Sequence, residues 1–328
     1  MNVLSLFDGM SGGQIALNRA GITVDNYYAS ELDKYAISVT QANYSNTVQL
    51  GDVTRWREWD IDWSSIDLLI GGSPCQGFSF AGKQLAFDDP RSKLFFVYED
   101  ILNHVKTVNP CVKFLLENVR MKKEYLGVIS EHLGVEPVFI NSALVSAQNR
   151  QRYYWANWEF GQPGDKGLIL SDILEKESDN FTFMSDKFVN RQKGRKCLRD
   201  NFEGKAVNLS AMEYVKNGRQ GDYILSMIPR GNNKGGDRAI DGKTPTLTSN
   251  SWEHNFHLTN DHKSYRKLTP IECERLQTVP DNYTNHVSNT RRYKMLGNGW
   301  TVDVISHIFK SMGNTASIKE KEQLELVI

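Results

Sequence analysis

Short apolar runs alternate with helix-like segments through the first third of the chain, and this order constrains the fold most. Runs at residues 3–7, 27–30, 47–50, 67–70 and 112–116 predict strands. Residues 92–106 carry apolar side chains at helical spacing between the last two. Strands that alternate with helices form a parallel sheet with right-handed crossovers. The sequence therefore predicts a nucleotide-type α/β domain.

Two of these strands end in residues suited to catalysis. The apolar run before Gly71 leads into Gly-Gly-Ser-Pro-Cys-Gln, and ligands in open α/β sheets bind beyond such strand ends. Glu117 follows the next apolar run, in FLLENV. One crossover helix fits between the two strands, so we expect Cys75 and Glu117 to share a pocket. Taken alone, the first segment is equally compatible with a buried structural cysteine.

A glycine-rich turn, FDGMSGG, follows the first strand and predicts a cofactor site. Glycines let a backbone approach a ligand, and Glu31 lies at the spacing from Gly9 where a carboxylate reaches ribose hydroxyls. The glycine spacing differs from GxGxxG, which favours a cofactor without a pyrophosphate over a nicotinamide dinucleotide. Asp52 is placed to accept a hydrogen bond from an adenine amino group. A helix cap for Glu31 and a turn residue for Asp52 are the structural alternatives.

A later segment, QNRQR, places two arginines at alternate positions. Alternate residues of a strand share one face, so Arg150 and Arg152 could hold a carbonyl oxygen and a phosphate. A salt-bridged edge strand is the structural alternative.

Composition limits the partners. Lys plus Arg and Asp plus Glu number 39 each, so no global positive field attracts polyanions, although a local basic cleft is compatible with this balance. The four cysteines show no metal-ligand or disulfide spacing, and we expect no metal. No secretory leader and no membrane-spanning run is evident. We expect a cytoplasmic, monomeric protein without membrane contact.

The residue composition and the pattern of apolar runs along the chain predict two domains. Residues 1–158 form the first part of a catalytic and cofactor-binding domain, and 159–262, with short apolar runs and many Gly, Asn, Lys and Arg residues, form a second, smaller domain. Helical patterns return the chain to the first domain over 263–312. Residues 313–328 are expected to be a C-terminal tail.

Taken in order, these segments resemble the motifs of the DNA cytosine-5 methyltransferases. FDGMSGG, GDV, GGSPCQGFS, FLLENV, QNRQR, LTPIECERLQ and LGNG carry the resemblance. It implies a Rossmann-like S-adenosylmethionine-dependent methyltransferase domain with a smaller target-recognition domain, a bacterial or phage type of enzyme, and duplex DNA as substrate. A cognate restriction endonuclease acting separately is an expected partner. At Gly299 and Trp300 the sequence departs from many bacterial members and is similar to the animal de novo enzymes.

The resemblance also implies roles for individual residues. Cys75 would attack carbon 6 of a flipped-out cytosine, Glu117 would bind ring nitrogen 3 and the exocyclic amine, and Arg152 and Arg150 would contact the base carbonyl and a phosphate. The residues implied to bind cofactor are Phe7, Asp8, Gly9, Ser11, Gly12, Glu31, Leu32, Asp52, Val53, Ser73, Pro74, Asn298 and Trp300. Those implied to contact DNA are Gln76, Ser79, Lys83, Arg91, Arg230, Asn232, Asn233, Lys234, Arg238, Thr246 and Leu247.

Two other functions share the fold. An RNA (tRNA) cytosine-5 methyltransferase would use the same chemistry, but the Cys-Phe-Thr element of that branch is absent here. A catalytically silent DNA-binding relative would typically lack Pro-Cys or Glu-Asn-Val, and both are present. Methylation of DNA is therefore the preferred prediction.

Overall fold

The computed structural model describes residues 1–73, 93–176, 224–227, 236–240, 242–249, 256–259 and 265–313. Its main sheet has seven strands in the order β3-β2-β1-β4-β5-β7-β6. The strands are β1 (Asn2–Leu6), β2 (Asn26–Ser30), β3 (Val48–Gln49), β4 (Leu68–Gly71), β5 (Lys113–Val119), β6 (Val138–Asn141) and β7 (Gln151–Ala156). The first five in this order pair in parallel, and β7 is antiparallel to both of its neighbours. The α/β class and the parallel sheet predicted from the sequence are confirmed.

Helices cover both faces of this sheet. They are α1 (Gly12–Arg19), α2 (Lys34–Asn43), α3 (Lys93–Val108), α4 (Lys123–Leu133), α5 (Leu170–Ile173), α6 (Pro270–Leu276), α7 (Asn289–Asn298) and α8 (Val302–Lys310). Short 3-10 turns lie at Val53–Glu58, Trp63–Ser65, Ser142–Leu144 and Ser311–Gly313. Helix α8 packs against α1, so the chain returns to the first domain as its helical pattern predicts.

The apolar core lies in two clusters, one on each face of the sheet. Alternate residues of β1 explain the division, because successive side chains of a strand point to opposite faces. Val3 packs in the cluster that contains the α8 residue Ile305. Leu4 and Leu6 pack in the other, with Phe95 of α3. Strand β1 is therefore packed on both of its faces.

A second, three-stranded antiparallel sheet lies in the region expected to form the smaller domain. Its strands β8 (Ile224–Met227), β9 (Gly236–Ile240) and β10 (Phe256–Thr259) follow the order β10-β8-β9. Residues that follow the predicted boundary at residue 158 still pack on the large domain. The Lys166 amide donates to the Leu144 carbonyl at 2.7 Å, and the more distant Leu247 belongs to the same core cluster as Val3. Within the described residues, no helix is both long and apolar enough to cross a membrane.

Candidate active site

A cavity of about 320 Å³ opens at the carboxyl ends of β1, β4 and β5. The described residues that line it include Phe7, Asp8, Gly9, Gly12, Glu31, Ser73, Glu117, Arg150, Arg152, Asn298 and Trp300, all predicted from the sequence, together with Asp33, Asn118, Lys294, Met295 and Gly297, which were not. Strands β4 and β5 are parallel neighbours, with Gly71 opposite Leu116, as predicted. Cys75 follows four residues after the end of β4, outside the described residues.

The glycine-rich turn after β1 has a strained backbone. Phe7 and Ser11 adopt left-handed conformations, with φ of 58° and 62°, as does Gly9 with 61°. Such conformations cost free energy in residues other than glycine, and they persist where the surrounding structure fixes them. Here the Asp8 amide donates to the Ser30 carbonyl at 3.1 Å. This hydrogen bond to the end of β2 fixes the turn at the rim of the cavity.

Glu31 ties β2 to this turn. Its Oε2 accepts the Gly9 amide at 2.7 Å, and its Oε1 accepts the amides of Leu32 and Asp33 at 2.8 Å. The cap of α2 is Asp33, whose side chain accepts the Tyr35 amide. Glu31 is therefore not the helix cap of the structural alternative. It faces the cavity with its carboxylate already oriented.

Asp8 places a buried carboxyl group in the same turn. Its Oδ1 accepts hydrogen bonds from the Ser5 and Tyr27 hydroxyls at 2.7 and 2.8 Å. Burial raises the pKa of Asp8 to about 6, although the hydroxyls of Ser5, Tyr27 and Ser11 lower it. Oδ2 is buried and has no hydrogen-bond partner among the described residues. Asp8 also lines the cavity, where a buried negative charge suits a cationic ligand group.

Four residues predicted to bind cofactor lie outside the lining of this cavity. Ser11 is buried beneath the turn, and Val53 is buried in the core. Leu32 is 69% exposed. The Asp52 carboxylate caps the 3-10 turn at Val53–Glu58 by accepting the Thr54 amide at 2.9 Å. Its structural alternative, a turn residue, is thus present in the fold, and a ligand contact for these four stays a prediction.

Glu117 is held by one ion pair and one hydrogen bond. The Nε of Arg152 lies 2.8 Å from Glu117 Oε1, and the indole Nε1 of Trp300 donates to Oε2 at 3.2 Å. Strand β5 continues to Val119, because it pairs with β7 up to the Val119 and Arg152 pair. The predicted strand end at residue 116 is therefore wrong by three residues, and Glu117 projects from within the strand. The neighbouring Asn118 donates to Ser73 Oγ at 3.2 Å and ties the ends of β4 and β5 together.

Arg150 does not share the position of Arg152. It precedes β7 and is 3% exposed, with Nη1 donating to the Leu247 carbonyl at 2.9 Å and Nη2 to the Gly299 carbonyl at 2.8 Å. A phosphate contact, as predicted, disagrees with this geometry because the guanidinium is enclosed by carbonyl groups. Arg150 instead fastens two distant segments beneath the cavity floor.

Helix α7 supplies the opposite wall of the cavity. Asn298 and Lys294 lie four residues apart on it, and Lys294 pairs with Asp33 at 2.9 Å. A side chain on Gly297 would overlap the backbone of Thr248 and Ser249. The sequence signal that could have found Lys294 is its helical spacing from Asn298, since residues four apart share one face.

Thr246 and Leu247, predicted to lie near a flipped base, belong to a segment anchored on the cavity floor. Thr246 Oγ1 donates to the Asn149 carbonyl at 2.5 Å, and Leu247 is fully buried. The buried Leu247 side chain therefore disagrees with a direct contact to a base. The other DNA-contact predictions, and Pro74 and Cys75, lie outside the described residues: Gln76, Ser79, Lys83, Arg91, Arg230, Asn232, Asn233 and Lys234. For Arg238, in β9, the backbone alone is described.

Comparison with known proteins agrees with this architecture. A model of the C-5 cytosine-specific DNA methylase family matches residues 1–133 and 136–314. The chain belongs to the C-5 cytosine-specific DNA methylase family. Type II methyltransferase M.NlaX of Neisseria lactamica is 31% identical, covering 94% of this chain and 95% of that protein. Type II methyltransferase M1.ScrFI of Lactococcus lactis subsp. cremoris is 30% identical, covering 94% of this chain and 77% of that protein.

The fold also matches a solved methyltransferase. The structure of the Entamoeba histolytica methyltransferase EhMeth superposes with a TM-score of 0.66 at 15% identity, covering 96% of this chain and 98% of that one. This likeness concerns the fold. Together with the family membership, it confirms the predicted Rossmann-like methyltransferase domain, and the family makes the chain a DNA cytosine-5 methyltransferase.

Proposed function

We propose that this methyltransferase acts on a flipped-out cytosine of duplex DNA through a covalent bond to Cys75, with S-adenosylmethionine as methyl donor. The observation that carries the proposal is the Glu117 carboxylate, fixed inside the cavity by Arg152 and Trp300 on the strand next to the one that leads to Cys75. A carboxyl group in that place can bind the polar edge of a pyrimidine.

The chemistry requires a nucleophile because carbon 5 of cytosine is a poor one by itself. Addition of the Cys75 thiolate to carbon 6 breaks the π bond between carbons 5 and 6 and moves its electron pair to carbon 5. Glu117 would support this by sharing a proton with ring nitrogen 3, which receives part of the charge. Once carbon 5 carries the methyl group, loss of its proton to a solvent base restores the double bond and expels the thiolate.

The residues around the glycine-rich turn fit S-adenosylmethionine, which supplies an electrophilic methyl group when bound. The buried Asp8 carboxylate lies beside the cavity and would attract the positively charged methionine part by its charge. Glu31, already oriented by the turn, would bind ribose hydroxyls. Phe7 would contact the adenine and Asn298 the methionine end, since both line the cavity.

The DNA target is proposed to be one short sequence. Arg230, Asn232, Asn233, Lys234 and Arg238 would read base edges, because arginine and lysine pair with guanine and asparagine with adenine. Gln76, Ser79, Lys83 and Arg91 would close over the DNA in the loop that carries Cys75. A cognate restriction endonuclease is a proposed partner, and M.NlaX and M1.ScrFI are both named type II methyltransferases.

Sequencing of cellular DNA tests this function. Bisulfite sequencing of DNA from cells that express the protein should find protected cytosines within one short motif, and cells expressing Cys75→Ala should show none. Protected cytosines in tRNA with unmodified DNA would instead support the RNA alternative. The comparisons do not favour that alternative, because the family and both curated relatives are DNA-modifying.

A further inference from the structure

Trp300 contacts Glu117 Oε2, whereas Arg152 contacts the other carboxylate oxygen, Oε1. We propose that Trp300 is a positioning residue for Glu117, whose carboxylate it fixes in rotation through the indole N–H. This inference rests on the proposed function of Glu117 and adds a residue to its support.

The two partners of Glu117 restrict the softest torsion of its side chain. Rotation of a glutamate carboxylate about its last carbon–carbon bond is broad, since that torsion joins tetrahedral and planar carbons. Arg152 forms an ion pair with Oε1 at 2.8 Å and Trp300 donates a hydrogen bond to Oε2 at 3.2 Å, so each oxygen has its own partner. An indole N–H can only donate a hydrogen bond, so Glu117 is always the acceptor in its contact with Trp300. The remaining lone pairs of the carboxylate are thereby fixed in direction.

Trp300 is itself immobilised by buried hydrogen bonds on both sides. The preceding carbonyl, of Gly299, accepts from Arg150 Nη2 at 2.8 Å and from Gln277 Nε2 at 3.3 Å. The following residue, Thr301, donates its hydroxyl to Gln277 Oε1 at 3.0 Å. Gln277 and Thr301 are almost fully buried. The indole therefore presents its N–H from a rigid backbone.

The surrounding glycines leave room for this contact. A β-carbon on Gly72 would lie 3.0 Å from Glu117 Oε2 and 3.1 Å from Trp300 Nε1, the two atoms of the hydrogen bond. A β-carbon on Gly13 would lie 3.7 Å from the far edge of the indole. The ring thus extends from the start of α1, beside the glycine-rich turn, to the carboxylate of Glu117.

A double-mutant cycle tests the proposal. Trp300→Phe removes the N–H and keeps an aromatic ring, and we expect it to lower the single-turnover rate of methyl transfer about tenfold, the loss typical of a hydrogen bond to a charged group. In a Glu117→Gln background the same change should lower that rate less than about twofold, because the shared interaction is already altered. The affinities for S-adenosylmethionine and for DNA should change less than about twofold.

A second double-mutant cycle measures binding, so it does not depend on the residual methyl-transfer rate of the Glu117→Gln protein. It compares the affinities for duplexes that carry cytosine or an abasic site at the target position, and Trp300→Phe should reduce the preference for cytosine only where Glu117 is present. Replacing Trp300 by benzothienylalanine, in which sulfur takes the place of the N–H within the same ring outline, should reproduce the loss if the protein with phenylalanine unfolds.

The matched control is Trp158→Phe. The Trp158 indole is also buried and donates to the Ile308 carbonyl at 3.1 Å, but it lies in the core away from the cavity. The Trp158→Phe change should lower the melting temperature without changing the rate of methyl transfer by more than about twofold. Equal losses from Trp300→Phe in both Glu117 backgrounds, or no loss at all, would overturn the proposal. Absence of DNA methylation by the wild-type protein would instead overturn the proposed function.

Discussion

The carboxyl group of Asp8 combines features that are costly in a folded protein. Its oxygens are buried against the turn, and one of them has no hydrogen-bond partner among the described residues. Burial raises the pKa of Asp8 to about 6, so the group is ionised at neutral pH and becomes protonated below that value. Tyr27 and Glu31 are the other titratable groups that act on it. A cation bound in the cavity would stabilise the ionised form.

The affinity for S-adenosylmethionine should therefore depend on pH. If the ionised form of Asp8 binds the cofactor, the dissociation constant should rise about tenfold between pH 7 and pH 5, in inverse proportion to the ionised fraction. Isothermal titration calorimetry should also detect proton release on binding near pH 6. Asp8→Asn should bind more weakly with no such dependence, and Asp62→Asn, a change in an exposed turn, should keep the wild-type profile. A wild-type profile in Asp8→Asn would exclude this role.

The side chain allowed at one position of helix α7 is limited by a chain segment that packs closely against the helix. Gly297 faces the backbone of Thr248 and Ser249 so closely that no side chain fits, and Arg150 ties the Leu247 carbonyl of the same segment to the cavity floor. Backbone atoms cannot yield as the end of a flexible side chain does. The requirement for glycine in the LGNG sequence is therefore steric at its first glycine.

Alanine substitutions in two helices should separate this steric effect from helix propensity. Gly297→Ala should lower the free energy of unfolding by about 2 kcal/mol, because the added methyl group forces backbone apart. Gly127→Ala, at an exposed position of α4 where the methyl group meets open space, should raise it by about 0.5–1 kcal/mol. Urea unfolding of both variants measures the difference. Equal behaviour of the two would contradict the close approach.

At the scale of the whole molecule, the sequence was most informative where structure is local. Apolar runs and turn residues predicted the strands, and the short crossover between β4 and β5 predicted that Glu117 lies beside the strand leading to Cys75. The burial of Arg150 could not be predicted. Its partners, the carbonyls of Leu247 and Gly299, lie about a hundred or more residues away, and strand alternation alone does not report such contacts.

The same limit applies to the indole of Trp300. The sequence marked it as a departure from many relatives, but the distance from Trp300 to Glu117 depends on how the last helices return to the sheet. Contacts of this kind need the packing of α8 on α1, which brings the end of the chain to the first glycine-rich turn. Packing continues across the predicted domain boundary at residue 158, and the division into domains stays a prediction.

The central claim is that Cys75 and Glu117 act on one cytosine in one pocket. A duplex with 5-fluorocytosine at the target position tests it, because fluorine cannot leave carbon 5 as a proton does and the covalent intermediate accumulates. With S-adenosylmethionine present, mass spectrometry should find the wild-type protein joined to DNA at Cys75, and Glu117→Gln should form this adduct far more slowly. An adduct that still forms in Cys75→Ala, or one attached to another residue, would contradict the account.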